Sequence, residues 1–188
     1  MVSEAISAGQ VDFGENYVQE LKEKAGALSG KNIRWHFIGA LQRNKVKYLP
    51  GLVHLIHSVD SIELAEEIAR QFEKRGGYTA DVLVEVNVAG ERSKAGVSRD
   101  KLSDLVTKIT QTSHLKLHGL MTMPPIPENP DDTRPYFKSL VEIRNDLEKK
   151  IGVELKELSM GMSMDFEQAI EEGATIVRVG TAIFGERR

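Results

Sequence analysis

Two short stretches near the carboxyl end carry residue types suited to holding an anion. Ser159-Met-Gly-Met-Ser-Met-Asp-Phe166 runs from a strand-like segment into a helix-like one. Ser163 stands there in an N-cap position, and the N–H groups of the following turn are open to an acceptor. A plain capped helix is the alternative. Arg178-Val-Gly-Thr-Ala-Ile-Phe-Gly185 repeats the arrangement: Gly180 permits close backbone approach, and Thr181 adds a hydroxyl beside freed N–H groups. Following the last two strands of one sheet, the two stretches form a single phosphate cup; two unrelated caps are the competing reading.

Arg178 lies two residues before that cup, with inward parity against Val177 and Val179. An inward arginine needs an acceptor, either a buried ion pair with Glu85 or a group on a ligand. Asn16 ends the Val11–Phe13 run and either caps the next helix or faces the same opening. His36, within Trp35-His-Phe-Ile-Gly39, reads as a core histidine with its polar atoms satisfied. His54 and His57 fall on opposite faces of a strand, which argues against a shared metal.

The elements that must place these groups alternate along the chain. Candidate strands are Val11–Phe13, Arg34–Ile38, Val53–Ser58, Asp81–Val88, Leu117–Met121, Leu155–Met160 and Thr175–Val179. Between them lie amphipathic helices. One follows an Asp60/Glu63 capping box and stops at Gly76-Gly77; others begin at Ser98, run from Thr133 to Lys150, and span Asp165–Glu172 with Phe166, Ala169 and Ile170 inside. Strand–helix alternation implies βαβ units and a parallel sheet. In Val82–Val88 the valines share one face, while Leu83, Glu85 and Asn87 share the other, as inside a barrel mouth. Seven strands fall one short of a (β/α)₈ barrel, and Val2–Gln10 reads as a helix end with no strand before it. Pro124–Asp132 is a stiff loop rather than a domain boundary, so residues 1–188 form one incomplete barrel domain.

Composition narrows the function. The net charge of −3 leaves no basic footprint for nucleic acid or an anionic membrane, and the absence of cysteine excludes disulfides and thiolate metal sites. Neither a long apolar run nor a signal peptide is visible, so the reading is a soluble cytoplasmic protein. No zinc, acyl-transfer, Walker or dinucleotide motif is present.

Further stretches add to this: Phe13-Gly-Glu-Asn-Tyr-Val-Gln-Glu20, Trp35–Gly39 with Leu41-Gln42 and Asn44-Lys45, His57–Asp60, Glu85–Val88 with Ser93-Lys94 and Gly96, His118–Met123, Ser159–Ser163 and Val177–Gly185. Taken in this order over the whole chain, they resemble the YggS/PROSC family of pyridoxal phosphate homeostasis proteins. The resemblance implies a TIM-like (β/α) barrel of the alanine racemase N-terminal-domain type and pyridoxal 5′-phosphate as cofactor. It further implies a monomeric, cytoplasmic carrier or regulator in vitamin B6 and amino-acid balance. By resemblance, Ser163, Gly180 and Thr181 hold phosphate with Ser159 nearby. Arg178 faces the pyridine nitrogen, and Asn16 and His36 complete the candidate pocket. An arginine there keeps the nitrogen unprotonated and weakens the ring as an electron sink, which suits a carrier.

One departure matters. Family members carry the cofactor as a Schiff base on a lysine in an Ala-Val-Ser-Lys-Thr-like motif ending the first barrel strand, and this sequence contains no match. The expectation is a barrel lacking its first βα unit, a cofactor held noncovalently, and open strand edges through which copies associate. The rival reading is a pyridoxal phosphate-dependent amino-acid racemase, which needs a lysine base.

Overall fold

Each run of β-formers becomes a strand, and each strand is followed by a helical segment. The computed structural model describes residues 2–90 and 95–186, so Ser93-Lys94 of the family-like stretch lies outside the described residues. The strands are β1 (Asp12–Glu15), β2 (Arg34–Phe37), β3 (Leu55–Val59), β4 (Ala80–Glu85), β5 (Leu115–Met121), β6 (Glu157–Met162) and β7 (Ile176–Arg178). The α-helices are α1 (Val2–Ser7), α2 (Val18–Ala27), α3 (Ile62–Lys74), α4 (Arg99–Gln111), α5 (Arg134–Ile151), α6 (Phe166–Glu171) and α7 (Thr181–Phe184), and Arg43–Tyr48 and Pro130–Thr133 form 3₁₀ turns. All neighbouring strands pair in parallel in the order β1 to β7. Their carboxyl ends therefore share one end of the barrel. β1 and β7 are the two edges of the sheet.

The two faces of the sheet differ as the alternation of β4 requires. Val82, Val84 and Val86 join the large outer core with Leu64, Ile68 and Phe72 of α3, Leu105 and Ile109 of α4, and Phe137 and Leu140 of α5. On the inner face Leu83 packs with Leu55, Met121 and Ile176 in a separate, smaller apolar cluster. Above this layer the interior is polar. Gly119 is required where β5 runs against β6, since a Cβ there would lie 1.8 Å from the Glu157 carbonyl oxygen. Gly152 ends α5 in the left-handed conformation, at φ 73°.

Several local expectations are corrected. The Asp60/Glu63 capping box is not formed; Ser61 is the N-cap of α3 and donates its hydroxyl proton to Asp60. β3 begins at Leu55, leaving His54 exposed before it. Ile170 is 53% exposed on the outer side of α6, where only Ala169 is fully buried. Val177, on the edge strand β7, and Val179, just after it, are half-buried. Asn87 turns into its own loop, where Oδ1 accepts the Gly90 N–H. Among the described residues no helix is long and apolar enough to cross a membrane.

The inner apolar layer is thin, so its members are hard to replace. Leu83→Ala is expected to cost about 2–5 kcal/mol of stability. Urea unfolding should show this as a lower midpoint at unchanged slope.

Candidate functional site

Parallel strands bring the loops after β6 and β7 side by side and into direct contact. Ser163 Oγ accepts from the backbone N–H of Gly180 at 3.0 Å and of Ala182 at 3.3 Å. Ser163 thus does not cap α6, as the local sequence suggests. Asp165 takes that position, its Oδ1 accepting the Met162 N–H at 2.7 Å, and Ser163 is released toward β7. Thr181 is the first residue of α7 and is exposed. The N–H groups of Gly180 and Ala182 and the hydroxyls of Ser163 and Thr181 form a donor-rich rim.

Arg178 enters the interior beneath this rim. Its Nη1 donates to Ser159 Oγ at 2.6 Å and its Nη2 to the Thr122 carbonyl at 2.9 Å. The direct ion pair with Glu85 is not formed: among the described residues, no donor bonds the Glu85 carboxylate. Burial lowers the Arg178 guanidinium to about 10, against the pull of Glu85 and Asp165, and it remains charged at neutral pH. The buried Glu85 carboxyl is pushed up to about 7, first by burial and then by Asp60, while Arg178 opposes both. The arrangement is a cation held by neutral acceptors above a carboxyl group poised near neutrality.

Ser159, Ser163, Arg178, Gly180 and Thr181 are brought together at one end of the barrel. Asn16 stands just past β1 at the same end, exposed, and does not cap α2, whose N-cap is Tyr17. Backbone packing fixes its position, since a Cβ on Gly39 would sit 2.2 Å from the Asn16 carbonyl oxygen. His36 lies deeper, facing inward from β2, and reaches Arg178 only through other side chains. Two members of the interior were missed from sequence. The sequence offers His57 only as a strand residue on the face opposite His54, and Asp12 only as a residue within the Val11–Phe13 run. Both share inward parity with His36, and the register that makes them neighbours belongs to the folded sheet.

The titration of Glu85 has a definite sign. Between its ordinary value and about pH 7, the folded chain keeps a proton that the unfolded chain has lost. Glu85 therefore lowers stability progressively as pH rises through that window, by up to about 3 kcal/mol. Glu85→Gln should gain on the wild type between pH 5 and pH 7 and hold a constant difference above it. Chemical unfolding at stepped pH checks this, and a difference independent of pH would contradict it.

Comparison with known proteins agrees with this architecture. Residues 1–188 match the family model described as alanine racemase, N-terminal domain. A pyridoxal phosphate homeostasis protein of Aquifex aeolicus is 51% identical over 188 residues, covering all of this chain and 82% of that protein. The human pyridoxal phosphate homeostasis protein is 41% identical over 199 residues, covering all of this chain and 72% of that protein. PipY of Synechococcus elongatus, solved with pyridoxal phosphate bound, superposes with a TM-score of 0.90 at 34% identity over 98% of this chain and 86% of its own. D-threonine aldolase from Filomicrobium marinum, at 21% identity and a TM-score of 0.76, shares the fold. The chain belongs to the alanine racemase N-terminal-domain family and, within it, to the YggS/PROSC pyridoxal phosphate homeostasis proteins.

Proposed function

We propose that this chain binds pyridoxal 5′-phosphate at the carboxyl ends of its strands and serves as a cytoplasmic carrier or regulator of that cofactor rather than as a catalyst. The observation that carries the reading is the convergence of Ser163, Gly180 and Ala182 directly above Arg178. The donor set fits the group: hydroxyls and backbone N–H groups suit a phosphate dianion. Ser163 Oγ marks the point on which two of those N–H groups already converge. In this reading Ser163, Gly180 and Thr181 hold the phosphate, Ser159 lies close by, and Asn16 borders the mouth. Arg178 uses two N–H groups on Ser159 and Thr122, and its guanidinium carries further donors for the pyridine nitrogen.

When bound, pyridoxal phosphate supplies an aldehyde and an electron-accepting ring. The chain's own residues support retention more than reaction. A guanidinium donating to the ring nitrogen does not protonate it, which limits electron withdrawal. Within residues 1–188 the phosphate cup and Arg178 are the groups that hold the cofactor. Homologues named for cofactor homeostasis rather than for a reaction support the same reading.

Titration with pyridoxal phosphate, followed by the cofactor's absorbance, should show saturable binding that Arg178→Met weakens while the circular dichroism spectrum stays unchanged. Borohydride reduction and peptide mapping should give scattered labelling over residues 1–188, with no single fully modified lysine among them. Complete modification at one position, such as Lys45 in the exposed turn after β2, would show covalent attachment through a substitute. Racemisation of alanine by the loaded protein would favour the enzyme reading, and equal competition by simple phosphate esters would favour another phosphorylated metabolite.

A further inference from the structure

Hydrogen bonds run without a break from Arg178 on β7 to Asp12 on β1. After the Arg178–Ser159 bond, Ser159 Oγ lies 2.9 Å from His57 Nδ1, His57 Nε2 lies 2.9 Å from His36 Nδ1, and His36 Nε2 lies 3.0 Å from Asp12 Oδ1. The chain ends at a carboxylate whose other oxygen accepts from Arg34 Nη2 at 2.6 Å. Ser159 and His57 are fully buried and His36 is 8% exposed, so bulk water does not compete for the Ser159–His57 and His57–His36 bonds, whereas Asp12 meets solvent at the outer end.

The carboxylate end fixes the direction of every proton as long as both rings are neutral. Asp12 only accepts, so His36 carries its proton on Nε2 and accepts at Nδ1. His57 therefore carries its proton on Nε2, donates to His36 Nδ1 and accepts at its own Nδ1. Ser159 Oγ, which accepts from Arg178, gives its proton to His57 Nδ1. This assignment satisfies all four bonds with both rings neutral.

We propose that Asp12, His36, His57 and Ser159 are positioning residues that lock the guanidinium of Arg178 in one orientation, through two imidazoles each held as a single Nε2–H tautomer. The consequence for a ligand rests on the reading of the site as a pyridoxal phosphate pocket. Aligned donors polarise one another, so the Asp12 charge is felt at Ser159, and the arginine is steadied by more than a lone hydroxyl. The surroundings keep the rings neutral. Burial holds His57 well below the usual histidine range, with His36 and Arg178 adding to the effect. His36 is lowered by burial, against Asp12, with His54 and Arg34 also opposing a charge. Arg178 itself faces Glu85 and Asp165, and Glu85 faces Asp60. A proton added to His36 sets N–H against N–H at His57 unless His57 moves its own proton from Nε2 to Nδ1, so protonation of one ring is coupled to the state of the other.

Nitrogen-15 NMR of the ligand-free protein tests the arrangement directly. His36 and His57 should both show the neutral Nε2–H pattern at pH 7 and change together, below the usual histidine range. An Nδ1–H tautomer at either ring, or independent titration, would overturn the proposal whether or not the cofactor binds. His57→Gln keeps a donor toward His36 and removes the acceptor for Ser159. It should weaken pyridoxal phosphate binding by about tenfold or more while leaving inorganic phosphate binding unchanged, because the ring-facing arginine is loosened and the cup is not. An unchanged affinity for pyridoxal phosphate in the folded variant would refute the positioning role. If the wild type fails to bind pyridoxal phosphate, the ligand reading fails alone, and the NMR result still decides the tautomers.

Discussion

A guanidinium inside a barrel must be given acceptors, and the interior of this protein is organised around that requirement. Arg178 is held by Ser159 and by the Thr122 carbonyl, not by a carboxylate in contact. A contact ion pair with Glu85 would have spent the charge within the protein and left little for a ligand. Neutral acceptors fix the side chain without cancelling its charge. Glu85 and Asp165 contribute through their fields rather than by bonding the arginine.

This requirement accounts for the layering of the interior. Leu55, Leu83, Met121 and Ile176 form one apolar layer, and above it lie His36, His57, Glu85, Ser159 and Arg178. The outer face of the same strands is almost wholly apolar, because α3, α4 and α5 cover it. Burial on both faces suits a parallel sheet, but the inner polar groups are tolerable only because most of them bond one another. Glu85 is the exception among them, and its raised value near neutrality is the expected response of a carboxyl group that burial denies partners.

The contact between the loops proposed to hold phosphate depends on a different constraint, the parallel order of β6 and β7. Register places Met162 beside Arg178, so the turns that follow both strands emerge at one level. Ser163 then bridges to Gly180 and Ala182 instead of capping its own helix. The bond joins the two loops that would hold the phosphate, while Asp165 occupies the N-cap of α6 and its Oδ1 accepts the Met162 N–H.

Much of this was legible in the residues themselves. Strand–helix alternation, the two-residue period of Val82–Val88 and the stops at Gly76, Gly77 and Gly152 specify a parallel sheet of seven strands, since periodicity and backbone freedom are local properties. The inward parity of Arg178 and the chemistry of Ser163, Gly180 and Thr181 were equally local. What the sequence left open were pairings between groups far apart along the chain. Arg178 had two possible acceptors, and only the folded interior chose Ser159 and Thr122 over Glu85. Ser163 had a cap to make nearby and a loop to meet across the sheet, and the close approach of β7 decided between them. Asp12, His36 and His57 are separated by about twenty residues at each step, with nothing local to link them. Strand register alone makes them neighbours, because a hydrogen bond is set by distance in space and not by distance along the chain.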